Sequence, residues 1–287
     1  MNGILLVNKE KSYTSHDVVA IVKKITGEKV GHTGTLDPNA TGVLPLLIGK
    51  ATLISKYLIN HDKTYIATLK LGIKTDTADG EGKVLEQEDI ESLNISKEKV
   101  ANVLENIIGK QEQYPPMYSA IKVNGKKLYD YARNGQTVEI RPRNIEIYNT
   151  ELINYDPKNS EVEFEISCSK GTYIRTVCEN IAERLKTIGY MKELHRVQVG
   201  DFSIQRSYTL DELKSKNESI EEKLLSIEEL FKNKEDIKLD NKQLQLFLNG
   251  VKLKQEQKDD IYRIYNNNIF IGLGVLEAKR LKRDVII

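Results

Sequence analysis

The sequence predicts an α+β protein with a mixed, largely antiparallel central sheet, flanking helices and a small C-terminal β domain. Segments with strand periodicity and segments with helical periodicity both occur, but not in the regular alternation of βαβ units. From about residue 237 onward, short apolar runs are separated by turn-forming residues, and this pattern is typical of short strands. We therefore expect a larger domain over residues 1–236 and a smaller one over 237–287.

Two helices are predicted in the first half of the chain from hydroxyl caps that precede apolar stripes. Ser15 is the expected N-cap of the first helix, which should end near Gly27, and Ser96 is the expected N-cap of the second. The first stripe comprises Val18, Val19, Val22 and Ile25, and the second comprises Val100, Val103, Leu104, Ile107 and Ile108.

Two segments alternate apolar and polar residues and are predicted to be strands. They run from Tyr65 to Leu71 and from Glu161 to Cys168. A short turn follows the second, with Thr172 as a candidate cap for a third helix whose apolar stripe is Ile174, Val177, Ile181 and Leu185. Further on, Asn266–Asn268 reads as a turn between two short strands.

Composition excludes several classes of protein. No run of 18 apolar residues is present, so no membrane span is expected, and the N-terminal segment lacks the order of a signal peptide. Cys168 and Cys178 are the only two cysteines, too few for a disulfide framework. We expect a cytoplasmic protein.

Charge is unevenly distributed along the chain, although the net charge is only +1. Residues 1–75 carry ten lysines against five acids, and residues 238–287 carry ten Lys and Arg against six acids. Residues 211–236 carry five lysines against nine acids. Basic ends are compatible with a phosphate-binding surface, but solvation of ordinary surface faces explains them as well.

The most unusual segment is the loop from Gly31 to Gly42, which contains three glycines, three threonines and an Asp-Pro step. Pro38 disfavours helical geometry at Asp37 and so favours an extended residue that presents one carboxylate outward. The alternative is that Asp37 only caps the turn that follows it.

Arg175 lies in the first turn of the third predicted helix. A cation there opposes the positive end of the helix dipole, at a cost of about 0.3–1 kcal/mol unless an anion compensates. A carboxylate or phosphate partner is therefore expected, with a solvated arginine as the alternative.

No metal site is predicted. If residues 75–86 were an EF-hand calcium loop, Thr75 and Thr77 would occupy positions that require carboxylates. We therefore expect a turn here and not a calcium site. The four histidines and two cysteines show no metal-ligand spacing.

Four segments, in order, resemble the TruB family of tRNA pseudouridine synthases. They are the loop GHTGTLDPNATGVL (31–44), the strand and turn KTYIATLKLG (63–72) with TDTADGEG (75–82), the segment PPMYSAIKVNGKKLYDYAR (115–133), and SKGTYIRTV (169–177). The resemblance covers nearly the whole chain. It implies the pseudouridine synthase fold, an RNA-gripping insertion at about 113–144 and a PUA-like RNA-binding domain at 237–287.

The resemblance also implies roles for particular residues. Asp37 is the implied catalytic aspartate, Tyr65 the ring that packs against the target base, and Arg175 the ion-pair partner that keeps the aspartate charged. Substrate contacts are implied for His32, Leu194, Tyr173 and Lys63. The chain departs from the family pattern at Glu10, Ser12 and His195, which affects local phosphate contacts.

The implied activity is isomerisation of uridine to pseudouridine at position 55, in the T-loop of tRNA, by base flipping. No cofactor, metal or protein partner is expected, and the enzyme should act as a monomer on tRNA. Two alternatives remain: a non-catalytic tRNA-binding or chaperone protein of the same fold, and a synthase that works with a guide complex. The C-terminal domain is expected to supply RNA affinity rather than chemistry.

Overall fold

The fold is organised around one large mixed sheet. The structure is a computed structural model that describes residues 1–215 and 219–287, so 216–218 of the acidic stretch lie outside the described residues. The large sheet has the strand order β1-β3-β12-β4-β11-β10-β7, with β2 on β3 and β13 on β12. These strands are β1 (Gly3–Lys9), β2 (Val30–His32), β3 (Thr41–Ile48), β4 (Lys63–Leu71), β7 (Gly109–Gln113), β10 (Arg143–Asp156), β11 (Glu161–Cys168), β12 (Gly189–Val199) and β13 (Phe202–Ser203).

Strand pairing in this sheet is antiparallel except where β12 meets β3. Small two-stranded ribbons lie outside it, formed by β5 (Ile73–Thr75) with β6 (Val84–Gln87) and by β8 (Lys122–Val123) with β9 (Lys126–Lys127). The expected α+β class with a mixed, largely antiparallel sheet is therefore confirmed.

Short helices flank the sheets of the protein. They are α1 (Ser15–Thr26), α2 (Ser55–Leu58), α3 (Lys97–Glu105), α4 (Leu128–Arg133), α5 (Ile174–Arg184), α6 (Leu210–Lys214), α7 (Ile227–Leu230) and α8 (Asn241–Leu248). None of the helices in the described residues is long and apolar enough to cross a membrane.

The two strands predicted from alternation are confirmed, and they pair with each other. In β4, Tyr65, Ala67, Leu69 and Leu71 are buried while the residues between them are partly exposed. In β11 the buried set is Val162, Phe164, Ile166 and Cys168. The two strands pair antiparallel, Tyr65 opposite Ile166, and both apolar faces join one core with α3 and α5. This core forms the floor beneath the candidate site.

Helix boundaries correct three of the predicted details. Thr14, not Ser15, caps α1, because Thr14 forms a capping box with Asp17 while the Ser15 hydroxyl is buried against Leu36. Ser96 caps α3 as predicted, but the helix ends at Glu105, which leaves Ile108 exposed beyond it. Tyr173, not Thr172, is the N-cap residue of α5.

The C-terminal residues form a separate five-stranded sheet in the order β14-β16-β17-β18-β15. Its strands are β14 (Asp236–Lys238), β15 (Leu253–Lys254), β16 (Asp260–Asn266), β17 (Ile269–Glu277) and β18 (Arg280–Ile286). Asn267 and Asn268 form the tight turn of the β16–β17 hairpin with positive φ, as the sequence predicted.

This second sheet shares a hydrophobic core with the rest of the chain. Leu273 and Val285 lie in the same buried cluster as Ile54, Leu58 and Phe231. At the edge of that cluster Asp284 accepts hydrogen bonds from Lys56 and from the hydroxyl of Tyr57. Removing the C-terminal sheet would therefore expose buried side chains of the larger domain, such as Ile54, Leu58 and Phe231, to water. It would also remove the basic residues of the C-terminal segment.

Truncating Leu273 tests this shared core. Leu273 is fully buried, so Leu273→Ala should lower the free energy of unfolding of the whole chain by about 2–5 kcal/mol. Urea unfolding followed by circular dichroism measures the change. The matched control is Ile269→Ala in the same strand, where the side chain is 65% exposed and the loss should stay within about 0.5 kcal/mol. A loss confined to a separate transition of the C-terminal residues would contradict a shared core.

Candidate active site

The loop that carries Asp37 connects β2 to β3 and is fixed on both sides of the aspartate. Before it, the buried Leu36 exchanges hydrogen bonds with the Ser15 hydroxyl. After it, the Pro38 carbonyl accepts a hydrogen bond from Lys9 Nζ at 2.8 Å, and Ala40 N–H donates to the Asp37 carbonyl at 3.1 Å. The backbone is thus held while the Asp37 side chain remains 41% exposed. The loop presents one carboxylate to the outside.

The loop returns into the sheet at Gly42, where two strands leave no room for a side chain. Gly42 has φ +108°, and an added Cβ would lie 2.2 Å from the carbonyl oxygen of Arg196. Gly42 pairs with Lys9 on one side and with Arg196 on the other. The close packing of three strands at this point fixes where the loop ends.

Asp37 and Arg175 form the ion pair expected from the position of Arg175. Arg175 Nε lies 3.2 Å from Asp37 Oδ2, and the arginine side chain is only 7% exposed. Arg175 is the second residue of α5, where the positive end of the helix dipole favours an anion nearby. The Asp37 carboxylate supplies it.

Arg175 also contacts a second carboxylate that the sequence did not single out. Its Nη1 lies 3.6 Å from Asp79 Oδ2 and donates to the Thr77 carbonyl at 3.2 Å, and its Nη2 donates to the Tyr118 carbonyl at 2.9 Å. The other oxygen of Asp79 accepts from the Thr77 hydroxyl and the Glu81 N–H. Each nitrogen of the buried guanidinium therefore has an acceptor, as a buried cation requires.

The turn that holds Asp79 was predicted only as a turn, and that prediction is confirmed. Residues 76–83 connect β5 to β6 as a hairpin. The signal in the sequence that points to Asp79 is the carboxylate itself, because it lies in the segment 75–82 that resembles the family.

Tyr65 is buried in β4 at 8% exposure, and its phenol lies within the electrostatic influence of Asp37. Burial raises the pKa of its phenol, and the neighbouring Arg196 partly opposes that rise, so the phenol is protonated at neutral pH. Arg196 lies directly opposite Tyr65 in β12. Its fully buried guanidinium donates to the carbonyls of Val43 at 2.9 Å and Gly34 at 3.1 Å.

Lys9 is a second buried cation that the sequence did not reveal. It is fully buried at the end of β1, and its Nζ donates to the carbonyls of Glu10, Tyr13 and Pro38. Burial lowers the pKa of Lys9 to about 8, with Asp37 acting in the opposite direction. The sequence alone indicates only that Lys9 is a polar residue at the end of an apolar run.

The remaining sequence-predicted residues surround this centre at different distances. Leu194, in β12 opposite Ala67, packs against the core cluster that contains Tyr65. Lys63, at the start of β4, lies near Gly34 and donates to the His61 carbonyl, and burial lowers its pKa. His32 packs edge-on against His16 at 5.5 Å, and no hydrogen bond or ion pair within the described residues joins it to the other predicted site residues.

Tyr173 takes part through its backbone. Its N–H donates to Gln113 Oε1 at 2.8 Å, and its carbonyl accepts from Gln113 Nε2 at 3.1 Å. The expected cap, Thr172, instead donates its hydroxyl to the Ser169 carbonyl at 2.9 Å. Thr172 is therefore wrong as the cap because its hydroxyl closes the preceding turn.

The chemistry available at this site is that of a carboxylate beside a buried arginine and a neutral phenol. A thiolate is not available, because both cysteines are buried and burial raises the pKa of each thiol, that of Cys168 to about 12. A partly exposed carboxylate in a fixed loop can act as a nucleophile or as a base.

Comparison with protein families gives two matches that together span most of the chain. Residues 22–174 match the TruB family pseudouridylate synthase N-terminal domain. Residues 175–232 match the tRNA pseudouridylate synthase B C-terminal domain. The boundary between the two matches falls directly before Arg175.

Curated relatives are similar over essentially their full length. The chain is 45% identical to the tRNA pseudouridine synthase B of Clostridium tetani, over 96% of this chain and 95% of the relative. It is 41% identical to the protein of the same name from Caldanaerobacter subterraneus, over 98% of each, and 43% identical to that of Staphylococcus saprophyticus, over 99% and 97%.

Solved structures agree on the fold. A Cbf5-Nop10-Gar1 complex contains a chain that matches with a TM-score of 0.68 at 24% identity, over 96% of this chain and 78% of that one. An H/ACA RNP bound to a substrate RNA that contains 2′-deoxyuridine matches with a TM-score of 0.70 at 21% identity, over 99% and 85%. With the family matches over more than half of its length, and relatives above 40% identity over nearly all of it, this chain belongs to the TruB family of pseudouridine synthases.

Proposed function

We propose that this protein converts uridine to pseudouridine at position 55, in the T-loop of tRNA. The observation that carries the proposal is the 3.2 Å ion pair between the buried Arg175 and the partly exposed Asp37, because it holds one charged carboxylate at an accessible place. The relatives' name, tRNA pseudouridine synthase B, supports tRNA as the substrate.

The reaction needs no net gain or loss of atoms. The N1–C1′ bond breaks, the uracil turns, and C5 joins C1′, after which C5 loses its hydrogen as a proton and N1 takes up a proton. Asp37 is the proposed group that starts this sequence, as nucleophile or as base. Arg175 pairs with the carboxylate and orients it, and Tyr65 packs against the base with its neutral phenol. No cofactor or metal is required.

The proposed substrate must present its uridine outside a base stack. Flipping a base costs a few kcal/mol, and loop nucleotides are easier to flip than paired ones. The insertion (113–144) supplies charge for gripping RNA, since its residues 120–143 carry six lysines and arginines against two acids. His32, Lys63, Leu194 and the Tyr173 ring are the proposed substrate contacts around the centre.

The alternative is a protein that binds tRNA without catalysis. A binding protein would gain nothing from a buried arginine whose Nε pairs with one partly exposed carboxylate while its other two nitrogens are held by Asp79, Thr77 and Tyr118, so the geometry favours the enzyme. The further alternative, a synthase that depends on a guide complex, is separated from the proposal by activity of the purified chain alone. We propose a monomer that acts in the cytoplasm on tRNA without a protein partner.

Replacing Asp37 tests the reaction and its central residue together. A tRNA transcript with tritium at uridine C5 should release about one equivalent of label to water per molecule. Asp37→Asn keeps the size of the side chain but removes its charge, so the release rate should fall by about 10²–10⁴-fold. Filter binding should show nearly unchanged tRNA affinity, because phosphate contacts elsewhere dominate it.

The matched control is Asp211→Asn, an exposed carboxylate on α6 whose loss should leave release at the wild-type rate. Absence of release by the wild-type protein on folded tRNA would refute the enzyme, and full release by Asp37→Asn would refute the role of Asp37.

Arg175 should require its guanidinium rather than a positive charge alone. Arg175→Lys retains charge but cannot reach Asp37, Asp79 and the Tyr118 carbonyl at once. Single-turnover release at saturating tRNA should fall about 10²-fold with little change in affinity. Near-normal turnover by this variant would remove Arg175 from the mechanism.

Asp79 should matter through Arg175. In Asp79→Asn the oxygen that accepts from Thr77 and Glu81 can remain, but the charge that faces Arg175 is lost. We expect a decrease of about tenfold in single-turnover rate. The control is Asp76→Asn in the same turn, where the exposed side chain accepts from the Lys83 N–H and, within the described residues, has no hydrogen bond or ion pair with Arg175. Equal rates for the two variants would contradict a role for Asp79.

A further inference from the structure

The last residue of β7 makes an unusual contact with the start of the helix that carries Arg175. Gln113 is buried at 3% exposure. Its side-chain amide bonds both backbone groups of Tyr173, accepting from the N–H at 2.8 Å and donating to the carbonyl at 3.1 Å. Sixty residues separate the two in sequence, so the contact joins the beginning of the insertion to the beginning of α5.

Helix α5 depends on this contact because it has no cap of its own. The N-cap residue is Tyr173, and its side chain makes no cap hydrogen bond. In a capping box, a side chain three residues into the helix accepts from the N-cap N–H. Gln113 Oε1 performs that role from a different strand. Its Nε2 adds a bond to the carbonyl that also accepts from Val177 N–H in the first helical turn.

A second contact joins the same two segments, but here the side chain comes from α5 and the backbone group from the insertion. Arg175, two residues beyond Tyr173, donates from Nη2 to the carbonyl of Tyr118, five residues beyond Gln113. The first six residues of the insertion are therefore attached to the start of α5 at two points. Beyond them the basic residues of 120–143 lie on the β8–β9 ribbon, on α4, on the exposed segment after α4 and, for Arg143, at the start of β10.

We propose that Gln113 is a positioning residue, which fixes the start of α5 so that Arg175 holds Asp37 in place while the insertion grips RNA. The inference rests on the proposed function and deepens it. The attachments at Tyr173 and Tyr118 lie between the basic part of the insertion and the ion pair. When bound RNA pulls on the insertion, the displacement reaches Arg175 through these two attachments. The Gln113 bonds to Tyr173 resist that displacement and keep the start of α5 in position.

The same strand contains a matched control. Gln111 lies two residues earlier in β7, is partly buried, and uses its amide to donate to the Ile107 carbonyl at 2.9 Å. It has the same chemical type, strand and face as Gln113, but it contacts a local carbonyl rather than α5. Gln113→Met and Gln111→Met remove the amide at nearly constant length.

The experiment measures single-turnover pseudouridine formation at saturating tRNA, together with tRNA affinity, for the folded full-length proteins. Gln113→Met should react about 10–100-fold more slowly, because a displacement of the order of 1 Å at a reacting group has an effect of that size. Its Kd for tRNA should stay within about threefold of wild type. Gln111→Met should match wild type in both within about twofold.

A rescue variant separates positioning from general loss of structure. In Gln113→Glu, the protonated carboxyl has one donor and one acceptor as the amide does, whereas the ionised form only accepts. Because burial at this position raises the pKa of the new carboxyl above that of a free glutamate, the rate of this variant relative to wild type at the same pH should be higher at about pH 6 than at about pH 8. If Gln113→Met does not fold, this comparison carries the test.

Several outcomes would overturn the inference: a folded Gln113→Met that reacts at the wild-type rate, a decrease equalled by Gln111→Met, or a loss that appears in Kd instead of in rate. A Gln113→Glu ratio that does not change with pH also counts against it. Failure of the proposed function is distinguishable, because wild type itself would then form no pseudouridine.

Discussion

The structure depends on one buried cation at the start of a helix. Arg175 is almost completely removed from water, and an isolated guanidinium in that environment would be strongly unfavourable. Its acceptors come from three segments: Asp37 from the loop after β2, Asp79 and the Thr77 carbonyl from the β5–β6 hairpin, and the Tyr118 carbonyl from the insertion. Satisfying this one side chain therefore brings together the parts of the chain that the proposed reaction needs.

Two further buried cations hold the loop that presents Asp37. Lys9 donates to the carbonyls of Glu10, Tyr13 and Pro38, and Arg196 donates to those of Val43 and Gly34. Because these cations bond backbone carbonyls and not the aspartate, the loop backbone is held in place while its carboxylate stays available to substrate. The net charge of the chain is close to zero, yet three buried cations lie around two carboxylates, Asp37 and Asp79, so the site as a whole carries an excess of positive charge. That balance favours a substrate that brings negative charge, as RNA does.

Periodicity and motif were sufficient for the main strands, for the helix of Arg175 and for the pairing of Arg175 with an anion. The N-cap of α1 could not be assigned from the sequence, because the adjacent hydroxyl residues Thr14 and Ser15 both suit that position. The structure distinguishes them, since the Ser15 hydroxyl is buried against Leu36. Lys9, Arg196 and Gln113 were missed for a common reason. Their partners are mostly backbone atoms, several of them far away in the sequence, and backbone acceptors leave no residue pattern to read. Asp79 was visible as a carboxylate, but only the fold brings it to Arg175.

The central claim is that this chain forms the T-loop pseudouridine of tRNA and uses Asp37 to do so. It is tested most directly by mapping pseudouridine, nucleotide by nucleotide, in tRNA from cells that lack the protein and from the same cells complemented with the wild-type chain or with Asp37→Asn. The account predicts that one T-loop pseudouridine disappears from the tRNA pool, returns with the wild-type chain, and stays absent with Asp37→Asn although that protein accumulates normally. Persistence of the T-loop pseudouridine without the protein, or its return with Asp37→Asn, would contradict the account.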